Sequence, residues 1–361
     1  MIEDYGWSLA LQNDFAPHAE RGLIPGRVIV QQRGLYILAT DLGELAAGIS
    51  GRLAHDAGGG EYPAAGDWVA AAARPEEHAA TIHHVLPRKT AFVRRAAGPK
   101  LGEQVVAANV DVALLAASLN ADLNARRLER YLSVAWQSGA RPVIVLTKAD
   151  LCDDVDAALG EIEAVAFDTP ILAVSALTGQ GLEAVSALLA PGETAVMVGS
   201  SGVGKSTLVN ALAGQELMAT QAIREDDAHG RHTTTHRELI RLPGGALLLD
   251  TPGMRELGLW DFGDGISATF EDIEALAAGC RFHDCHHGNE PGCAVQGALA
   301  DGSLDPGRWK SYGKLQREIA HLERREDPIA REAHRRQWIA ISKAQRTGQK
   351  IRGKKIRGKD W

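Results

Sequence analysis

An eight-residue segment, Gly199 to Ser206, matches the phosphate-loop pattern G-x-x-x-x-G-K-S. The apolar run Glu193–Val198 is predicted to be the strand that enters the loop, and Thr207–Leu212 the helix that leaves it. Glycine lets the backbone wrap a phosphate, so successive N–H groups point at the anion where the helix dipole also favours it. This setting predicts a nucleoside triphosphate site.

Two side chains of the loop have separate predicted roles. Lys205 is expected to reach the β- and γ-phosphates and to act in catalysis, and Ser206 is expected to bind Mg²⁺. The whole segment is expected to line the nucleotide: Gly199, Ser200, Ser201, Gly202, Val203, Gly204, Lys205, Ser206 and Thr207.

Asp250 follows another apolar run, Ala246–Leu249, and opens the sequence Asp-Thr-Pro-Gly. A carboxylate at a strand end beside a phosphate loop is placed to bind Mg²⁺, directly or through water. The backbone N–H of Gly253 is expected to sense the γ-phosphate. Asp250 and Gly253 are therefore catalytic candidates.

The stretch Thr147-Lys148-Ala149-Asp150 follows the apolar run Val143–Leu146 and predicts which base is bound. Guanine presents its N1–H and its exocyclic amino group side by side, so one carboxylate accepts both hydrogen bonds. Adenine has no such pair of donors. Asp150 is therefore expected to select GTP over ATP, with Lys148 along the face of the ring and Thr147 in the same binding segment.

A second short segment, Ser175-Ala176-Leu177, follows the apolar run Ile171–Val174 and can supply a backbone N–H to the base oxygen. Ser175 and Ala176 are therefore assigned to the nucleotide site. Both base-reading segments precede the phosphate loop, whereas in an ordinary GTPase the phosphate loop comes first. The order of the motifs indicates a circularly permuted GTPase domain.

The polar stretch from Gly214 to Arg237 has no clear helical or strand pattern and lies where a switch loop belongs. One threonine of this stretch is expected to complete the Mg²⁺ shell in the GTP state. Thr234 is the favoured candidate, as magnesium ligand and catalytic residue, and Thr235 is the second.

Met254 occupies the position after Gly253, where many GTPases carry a glutamine that orients the attacking water. A thioether cannot orient water in this way, so hydrolysis without a partner is expected to be slow. The sequence does not choose among four candidates for the missing role: His232, His236, Arg231 and Arg255.

Three of the four cysteines cluster with histidines in one short segment. The pattern Cys280-x₄-Cys285-x-His287-x₅-Cys293 offers three thiolates and one imidazole, a set that suits tetrahedral, structural Zn²⁺. Four protein ligands leave no open position, so a structural role is favoured over a catalytic one. Spacing alone leaves two alternative histidine ligands: His283 and His286.

Charge is unevenly distributed along the chain. The net charge is −7, yet residues 333–361 contain ten Lys or Arg and one acid. A basic tail on an acidic body indicates a polyanionic partner such as nucleic acid or a membrane surface, or else a solvated, disordered tail. No apolar run reaches the roughly 18 residues that span a bilayer, and no export signal is visible. We therefore expect a cytoplasmic protein without a membrane partner.

Short β-like runs separated by turns fill residues 26–97 and predict a small antiparallel barrel, after a loose lead-in over residues 1–24. A basic cluster near its end is either a solvated face or a nucleic-acid contact: Arg88, Lys89, Arg94 and Arg95. The predicted strands of the barrel are Arg27–Val30, Leu35–Leu38, Gly51–Leu53 and Gly66–Val69.

From about Val105 to Met254, apolar runs alternate with helical stretches, which predicts a parallel sheet covered on both faces. A charged amphipathic helix is predicted over residues 312–346, interrupted near Pro328. Two further strands are predicted at Val112–Ala117 and Ala195–Val198. The helices predicted between the strands are Ala125–Gln137, Asp154–Ala164 and Leu182–Leu189.

On these motifs the chain resembles the circularly permuted GTPases that depend on the small ribosomal subunit, the RsgA or YjeQ family. The resemblance covers nearly the whole chain and is carried by Ala108–Asp111, Thr147–Asp150, Gly199–Thr207, Gly230–Thr235, Asp250–Gly253 and Cys280–Cys293. It implies an α/β multidomain protein: an N-terminal OB-fold β-barrel, a circularly permuted P-loop GTPase domain with a parallel sheet, and a C-terminal helical zinc-binding domain. We expect a lead-in and OB-fold over 1–97, the GTPase domain over 98–260, the zinc domain over 261–346 and a basic, disordered tail over 347–361.

The resemblance also implies a function. It implies a hydrolase that converts GTP to GDP and phosphate, binds the small (30S) ribosomal subunit and its 16S rRNA late in maturation, and is stimulated by that subunit. We expect a monomer. It implies magnesium with GTP and one structural zinc, held by Cys280, Cys285, His287 and Cys293. Met254 favours an alternative, an RNA-associated scaffold that holds GTP and barely turns it over.

Overall fold

The structure is a computed structural model that describes residues 1–32, 34–56, 62–95, 103–120, 123–166, 168–217, 237–250, 265–288 and 290–326. It falls into two compact units, Met1–Trp309 and Lys310–Trp361. No helix within the described ranges has the length and apolar character needed to cross a membrane. Several predicted features lie outside these ranges: Thr234, Thr235, Gly253, Met254, the four water-orienting candidates and the basic tail.

The N-terminal part is a closed five-stranded barrel. Strands β1, β2 and β3 form an antiparallel meander, β5 pairs in parallel with β3, and β4 returns to pair with β5 and β1. An apolar interior holds it together, including Val28, Leu38 and Ile82, which are fully buried. The expected OB-fold barrel is confirmed. Its strands are β1 (Ile24–Gln32), β2 (Leu35–Thr40), β3 (Gly43–Ile49), β4 (Trp68–Arg74) and β5 (Ala79–Val85).

Two predictions for this region are wrong. Residues 1–24 are no loose lead-in, because they contain a 3₁₀ helix (Ile2–Tyr5) and helix α1 (Leu9–Ala19), which packs Leu11 and Phe15 near Trp68. The segment predicted as strand Gly51–Leu53 begins helix α2 (Gly51–Asp56) instead.

A two-stranded hairpin, β6 (Ala91–Arg95) and β7 (Glu103–Ala108), leads from the barrel to the nucleotide-binding sheet. In that sheet five strands are parallel, in the order β10-β9-β8-β11-β13, and β12 is antiparallel to β13. The predicted parallel sheet is confirmed, with the antiparallel edge strand as an addition. The strands are β8 (Val112–Ser118), β9 (Arg141–Thr147), β10 (Ile171–Ala173), β11 (Thr194–Val198), β12 (Arg237–Arg241) and β13 (Leu247–Asp250).

Helices connect these strands and then build the C-terminal segment. Capping side chains set the starts of the helices that begin at Ala125 and Val155: the side chain of Asn124 accepts from the N–H of Arg127, and that of Asp154 from the N–H of Ala157. The described helices are α3 (Ala125–Ser138), α4 (Val155–Glu163), α5 (Leu182–Ala187), α6 (Lys205–Ala213), α7 (Gly265–Thr269), α8 (Glu271–Ala278), α9 (Ala294–Asp301) and α10 (Pro306–Glu326), with 3₁₀ helices at Pro75–Glu77 and Ala149–Leu151.

Strand β12 joins the barrel and the nucleotide-binding sheet into a single sheet of eleven described strands. One edge of β12 pairs with β13, and its other edge pairs with β1 of the barrel, with Gln31 opposite Arg237. The barrel is thus continuous in backbone hydrogen bonding with the sheet that carries the nucleotide motifs.

A buried arginine makes a second connection between barrel and GTPase sheet. Arg27 is 2% exposed. Its guanidinium donates to the backbone oxygens of Tyr5, Gly66 and Asn109, and to the hydroxyl of Thr194 at 2.7 Å. Thr194 begins β11, the strand that enters the phosphate loop. One side chain therefore hydrogen-bonds four segments that are distant in sequence.

Arg27→Met is expected to lower the free energy of unfolding by about 3 kcal/mol, because buried acceptors lose their donor. Denaturant titration of the full chain measures this. Arg74→Met is the matched control, since Arg74 lies in the same barrel but pairs with Glu77 at the surface; it should change the value by less than about 1 kcal/mol. Equal losses in both variants would contradict the connecting role of Arg27.

Candidate nucleotide and metal sites

The phosphate loop lies between the end of β11 and the start of α6. Two of its glycines are required by geometry. A Cβ on Gly199 would come within 2.5 Å of the backbone oxygen of Ala116 in β8. Gly204 has a φ of +91° at the N terminus of α6, a conformation that side chains rarely adopt. The glycines therefore permit both the close approach to β8 and the turn into the helix.

Lys205 is held inside this loop. Its ammonium donates to the backbone oxygen of Gly199 at 2.6 Å and also to that of Ser200. Val203 is buried beneath the loop, whereas Ser201 is exposed and Ser206 is half-buried. The positive charge thus lies at the centre of a loop that opens to solvent, as binding of a triphosphate requires.

The base-reading segment is hydrogen-bonded directly to the phosphate loop. The Thr147 hydroxyl donates to the backbone oxygen of Val203 at 2.5 Å, and the Lys148 ammonium donates to that of Gly202 at 2.8 Å. Lys148 adopts a left-handed backbone conformation, with φ of +60°. Two motifs separated by about fifty residues in sequence therefore meet at one edge of the sheet.

Asp150 and Ala176 follow neighbouring parallel strands, β9 and β10, in which Leu146 lies opposite Ala173. Asp150 is exposed in the 3₁₀ turn that follows β9. Ser175 is fully buried, and its side-chain oxygen accepts from the N–H of Thr178 at 3.2 Å. The Ser175 side chain therefore shapes the loop, which leaves base contacts to the backbone.

Asp250 is the last residue of β13 and lies at the same edge of the sheet. Strand β13 runs parallel to β11, with Leu249 opposite Val196. Because β11 leads into the phosphate loop, the carboxylate of Asp250 follows a strand end directly beside that loop. Of the predicted magnesium ligands, Ser206 and Asp250 are thus brought to one region, and Thr234 lies outside the described residues.

Sequence reasoning missed two residues that contact the phosphate loop. Arg127 donates from Nη1 to the hydroxyl oxygen of Ser200 at 2.9 Å, and the Tyr131 hydroxyl lies 3.1 Å from the same oxygen. They are four residues apart and so lie on one face of α3. Their four-residue spacing within a predicted helix indicated that they share one face of that helix. Nothing in the sequence indicated which loop that face would contact.

Another face of α3 contacts the C-terminal segment. Glu129 is fully buried and accepts from Arg308 at 3.0 Å and from Arg126 at 2.7 Å. Arg308 also forms an ion pair with Asp272 at 2.6 Å, and Ser133 hydrogen-bonds Thr269 at 3.1 Å. Helix α3 therefore connects the phosphate loop with the segment that contains the cysteine cluster.

The three cysteines and His287 converge at one point. The Sγ atoms of Cys280 and Cys293 are 3.8 Å apart, and each lies 3.5 Å from His287 Nδ1. With Cys285, the four donor atoms all lie within 4.8 Å of one another. His283 and His286, the alternatives from sequence, are exposed outside this group.

The surrounding loop supports this convergence. Glu290 accepts from the backbone N–H groups of His286 and Gly288, at 3.2 and 2.7 Å, which stabilises the turn that carries His287. The amide of Gln296 donates to the His287 backbone oxygen at 2.6 Å. Cys293 also caps α9, because its Sγ accepts from the N–H of Gln296 at 3.4 Å.

The thiol chemistry of the cluster suits a divalent cation. Burial raises the pKa of the Cys280 thiol, but backbone N–H groups of Val295 and Ala294 outweigh it and lower that pKa overall. At Cys285 the backbone N–H of His287 favours the thiolate, yet burial and the sulfurs of Cys293 and Cys280 raise the pKa to about 11. Three thiolates so close together need a positive charge between them, so the cluster fits a zinc site.

Comparisons with known proteins agree with this architecture. A sequence profile described as RsgA GTPase matches residues 85–260. A protein of Opitutus terrae, named small ribosomal subunit biogenesis GTPase RsgA, is 46% identical over 98% of this chain and 99% of its own. The chain belongs to the RsgA GTPase family. The expected family membership is thereby confirmed.

Two solved structures show the fold of this family. The crystal structure of YjeQ from Thermotoga maritima has a TM-score of 0.61 and 25% identity, covering 82% of this chain and 99% of that one. The structure of YloQ, described as a circularly permuted GTPase, has a TM-score of 0.59 and 26% identity, covering 83% and 96%. The circular permutation inferred from the order of the motifs is thereby confirmed as a family feature.

Asp150→Asn should weaken GTP binding by roughly tenfold to a hundredfold, because a charge-assisted pair of hydrogen bonds becomes neutral. Xanthosine triphosphate should bind better, since its ring presents an oxygen where guanine has the amino group. Competition binding with both nucleotides measures the change in preference from GTP to xanthosine triphosphate. Asp153→Asn, the same change at an exposed site nearby, serves as control; an unchanged preference in Asp150→Asn would exclude the assigned role.

Zinc removal should unfold the segment around the cysteine cluster while leaving the nucleotide-binding sheet folded. Limited proteolysis followed by mass spectrometry should show new cleavage between residues 265 and 309 after chelation. Cys285→Ser should give the same cleavage without chelator, whereas Cys152→Ser, outside the cluster, should not. Unchanged proteolysis after complete metal loss would argue against a structural zinc.

Proposed function

We propose that this protein hydrolyses GTP and uses the reaction as a late-stage assembly factor of the small ribosomal subunit. The observation that supports this most is the joining of the base-reading segment to the phosphate loop, through Thr147 and Lys148. Similarity to a curated small ribosomal subunit biogenesis GTPase over 98% of the chain supports the biological role. We infer a cytoplasmic location from that role.

In the proposed mechanism, Lys205 and the backbone N–H groups of the phosphate loop neutralise the triphosphate, and Asp150 selects guanine. Magnesium, when bound, would neutralise charge that develops between the β- and γ-phosphates. Ser206 and Asp250 would hold it, and Thr234 is proposed as a further ligand in the GTP state. The arrangement of strand ends supports the assignment of Ser206 and Asp250, because the segments that carry these two residues meet at one edge of the sheet.

The cysteine cluster is proposed to hold one structural zinc. Its donor set supports zinc over harder cations, since thiolates and imidazole are soft or borderline ligands. We propose the 16S rRNA as the direct contact and a monomer as the active form. Proposed boundaries are 1–97 for the N-terminal helices and the OB-fold, 98–260 for the GTPase domain, 261–346 for the zinc domain and 347–361 for the basic tail.

Met254 supports a second reading of the nucleotide site, in which GTP is held for stability and hardly hydrolysed. Both readings predict GTP binding, so binding alone does not separate them. They differ in the role of the small subunit. In the first, the subunit provides the means to orient the attacking water, which this chain lacks at the position of the usual glutamine.

Hydrolysis measured with purified small subunits, large subunits or neither distinguishes the two. We expect slow hydrolysis alone and strong stimulation by small subunits only. Lys205→Ala should abolish the stimulated rate, which excludes a contaminating GTPase in the ribosomal preparation. If small subunits give no more hydrolysis than the buffer control, the proposed GTPase function is wrong and the alternative, a scaffold that holds GTP, replaces it.

A further inference from the structure

A polar cavity of about 340 Å³ lies where the barrel, the β6–β7 hairpin and the first residue of β12 meet. No residue of the phosphate loop or of the cysteine cluster lines it. Two arginines line it from different strands, Arg94 of β6 and Arg237 of β12, and Tyr62 also lines it, with 38% of its surface exposed.

Among the described residues, both guanidinium groups have neutral hydrogen-bond partners. Arg237 donates from Nη1 to the side-chain oxygen of Gln31 at 2.7 Å, and Arg94 donates from Nε to that of Gln104 at 3.1 Å. Within the described parts of the chain, neither arginine forms an ion pair with a carboxylate. Arg88, in the same predicted basic cluster, differs: it pairs with buried Asp67 at 2.7 Å.

This arrangement is electrostatically unfavourable as it stands. Arg237 is half-buried, and burial lowers its pKa to about 10, with the positive charge of Arg94 as a second cause. Two cations share one cavity, one of them is partly removed from water, and the partners that the described residues offer them are amide oxygens. An anion bound between them would offset both the desolvation and the repulsion. The cavity is therefore suited to a negatively charged ligand.

The chemistry of the lining favours phosphate. A guanidinium presents its N–H groups as a planar fork that matches two phosphate oxygens. The amides of Gln31 and Gln104 add polar groups around the cavity, and the partly exposed ring of Tyr62 offers a surface on which a base can stack. A volume of about 340 Å³ is at the small end of ligand pockets, which suits one nucleotide.

We propose that this cavity binds the phosphate group of a single nucleotide, with Arg94 and Arg237 as its ligands. The nucleotide can be free or one unit of a single-stranded RNA, because both present the same group. The position on the barrel agrees with an RNA source, since Gly34 of the β1–β2 loop and Tyr36 of β2 line the cavity, and OB-type barrels bind oligonucleotides with this loop and with the face of their second and third strands. The site is distinct from the GTP site and stands whether or not the proposed GTPase function holds.

The test measures binding of three probes to the full chain at about 0.15 M salt, where nonspecific charge effects are reduced. The probes are inorganic phosphate, adenosine monophosphate and a fluorescently labelled RNA hexamer. Adenosine monophosphate lacks the pair of donors that the guanine reader needs, so it reports on the cavity rather than on the GTP site. Arg94→Gln and Arg237→Gln each remove one ligand. Arg241→Gln is the control, with the same charge change on the same strand but outside the cavity.

We expect at least a tenfold loss of affinity in Arg94→Gln and in Arg237→Gln and less than a twofold loss in Arg241→Gln. If Arg94→Gln and Arg237→Gln lose affinity for the RNA hexamer alone, the phosphate belongs to an RNA strand. If they also lose affinity for adenosine monophosphate or phosphate, the phosphate belongs to a free nucleotide. Equal losses in all three variants, or no binding of any probe to the unaltered chain, would overturn the proposal.

A stability measurement separates loss of a ligand site from loss of fold. Since the two guanidinium groups repel each other, Arg237→Gln should leave the melting temperature unchanged or raise it in the absence of ligand, and GTP binding should be unaltered. Addition of the binding probe should raise the melting temperature of the unaltered chain but not that of Arg237→Gln. A marked drop in melting temperature for Arg237→Gln without ligand would indicate a structural role instead.

Discussion

The relation between barrel and nucleotide site depends on the burial of one cation, Arg27. A guanidinium carries five N–H donors in a fixed fork, so it can satisfy several acceptors that no backbone group reaches. Here those acceptors come from the N-terminal 3₁₀ helix, the barrel, the turn at Asn109 and the first residue of β11. Burial lowers the pKa of Arg27 to about 10, and the nearby carboxylates of Asp111 and Asp67 partly offset this. The start of the strand that leads to the phosphate loop is thereby held against the barrel.

The nucleotide motifs were predictable because their chemistry constrains short segments of sequence. A phosphate loop needs glycine where the backbone approaches β8 or adopts a positive φ, and such requirements are visible residue by residue. Strands β3 and β5 were missed for the opposite reason. Alanine, glycine and histidine have little intrinsic preference for strands, so the pairing of these segments within the closed barrel determines their structure.

The parts of the candidate sites that escaped prediction are contacts between distant segments. The predicted basic cluster divides in the structure, because Arg88 pairs with buried Asp67 whereas Arg94 faces a cavity with Arg237. Likewise, Arg127 meets the phosphate loop only because α3 packs beside it. Helical periodicity identifies the face of a helix, but tertiary packing decides what that face contacts. Local chemistry could therefore be predicted from the sequence, and the interfaces between elements could not.

The circular permutation gives α3 a position that explains its two polar faces. The chain leaves the sheet at Asp250, beside the phosphate loop, and the next described residue, Gly265, donates its N–H to the side chain of Gln137 on α3 at 3.0 Å. Glu129, on the same helix, binds Arg308 further along the C-terminal segment. In an unpermuted GTPase the base-reading half would follow this exit, whereas here the next described residues lead to the cysteine cluster and pack on a helix that also contacts Ser200. The order of the motifs thus places the segment that contains the cysteine cluster and the phosphate loop on different faces of one helix, α3.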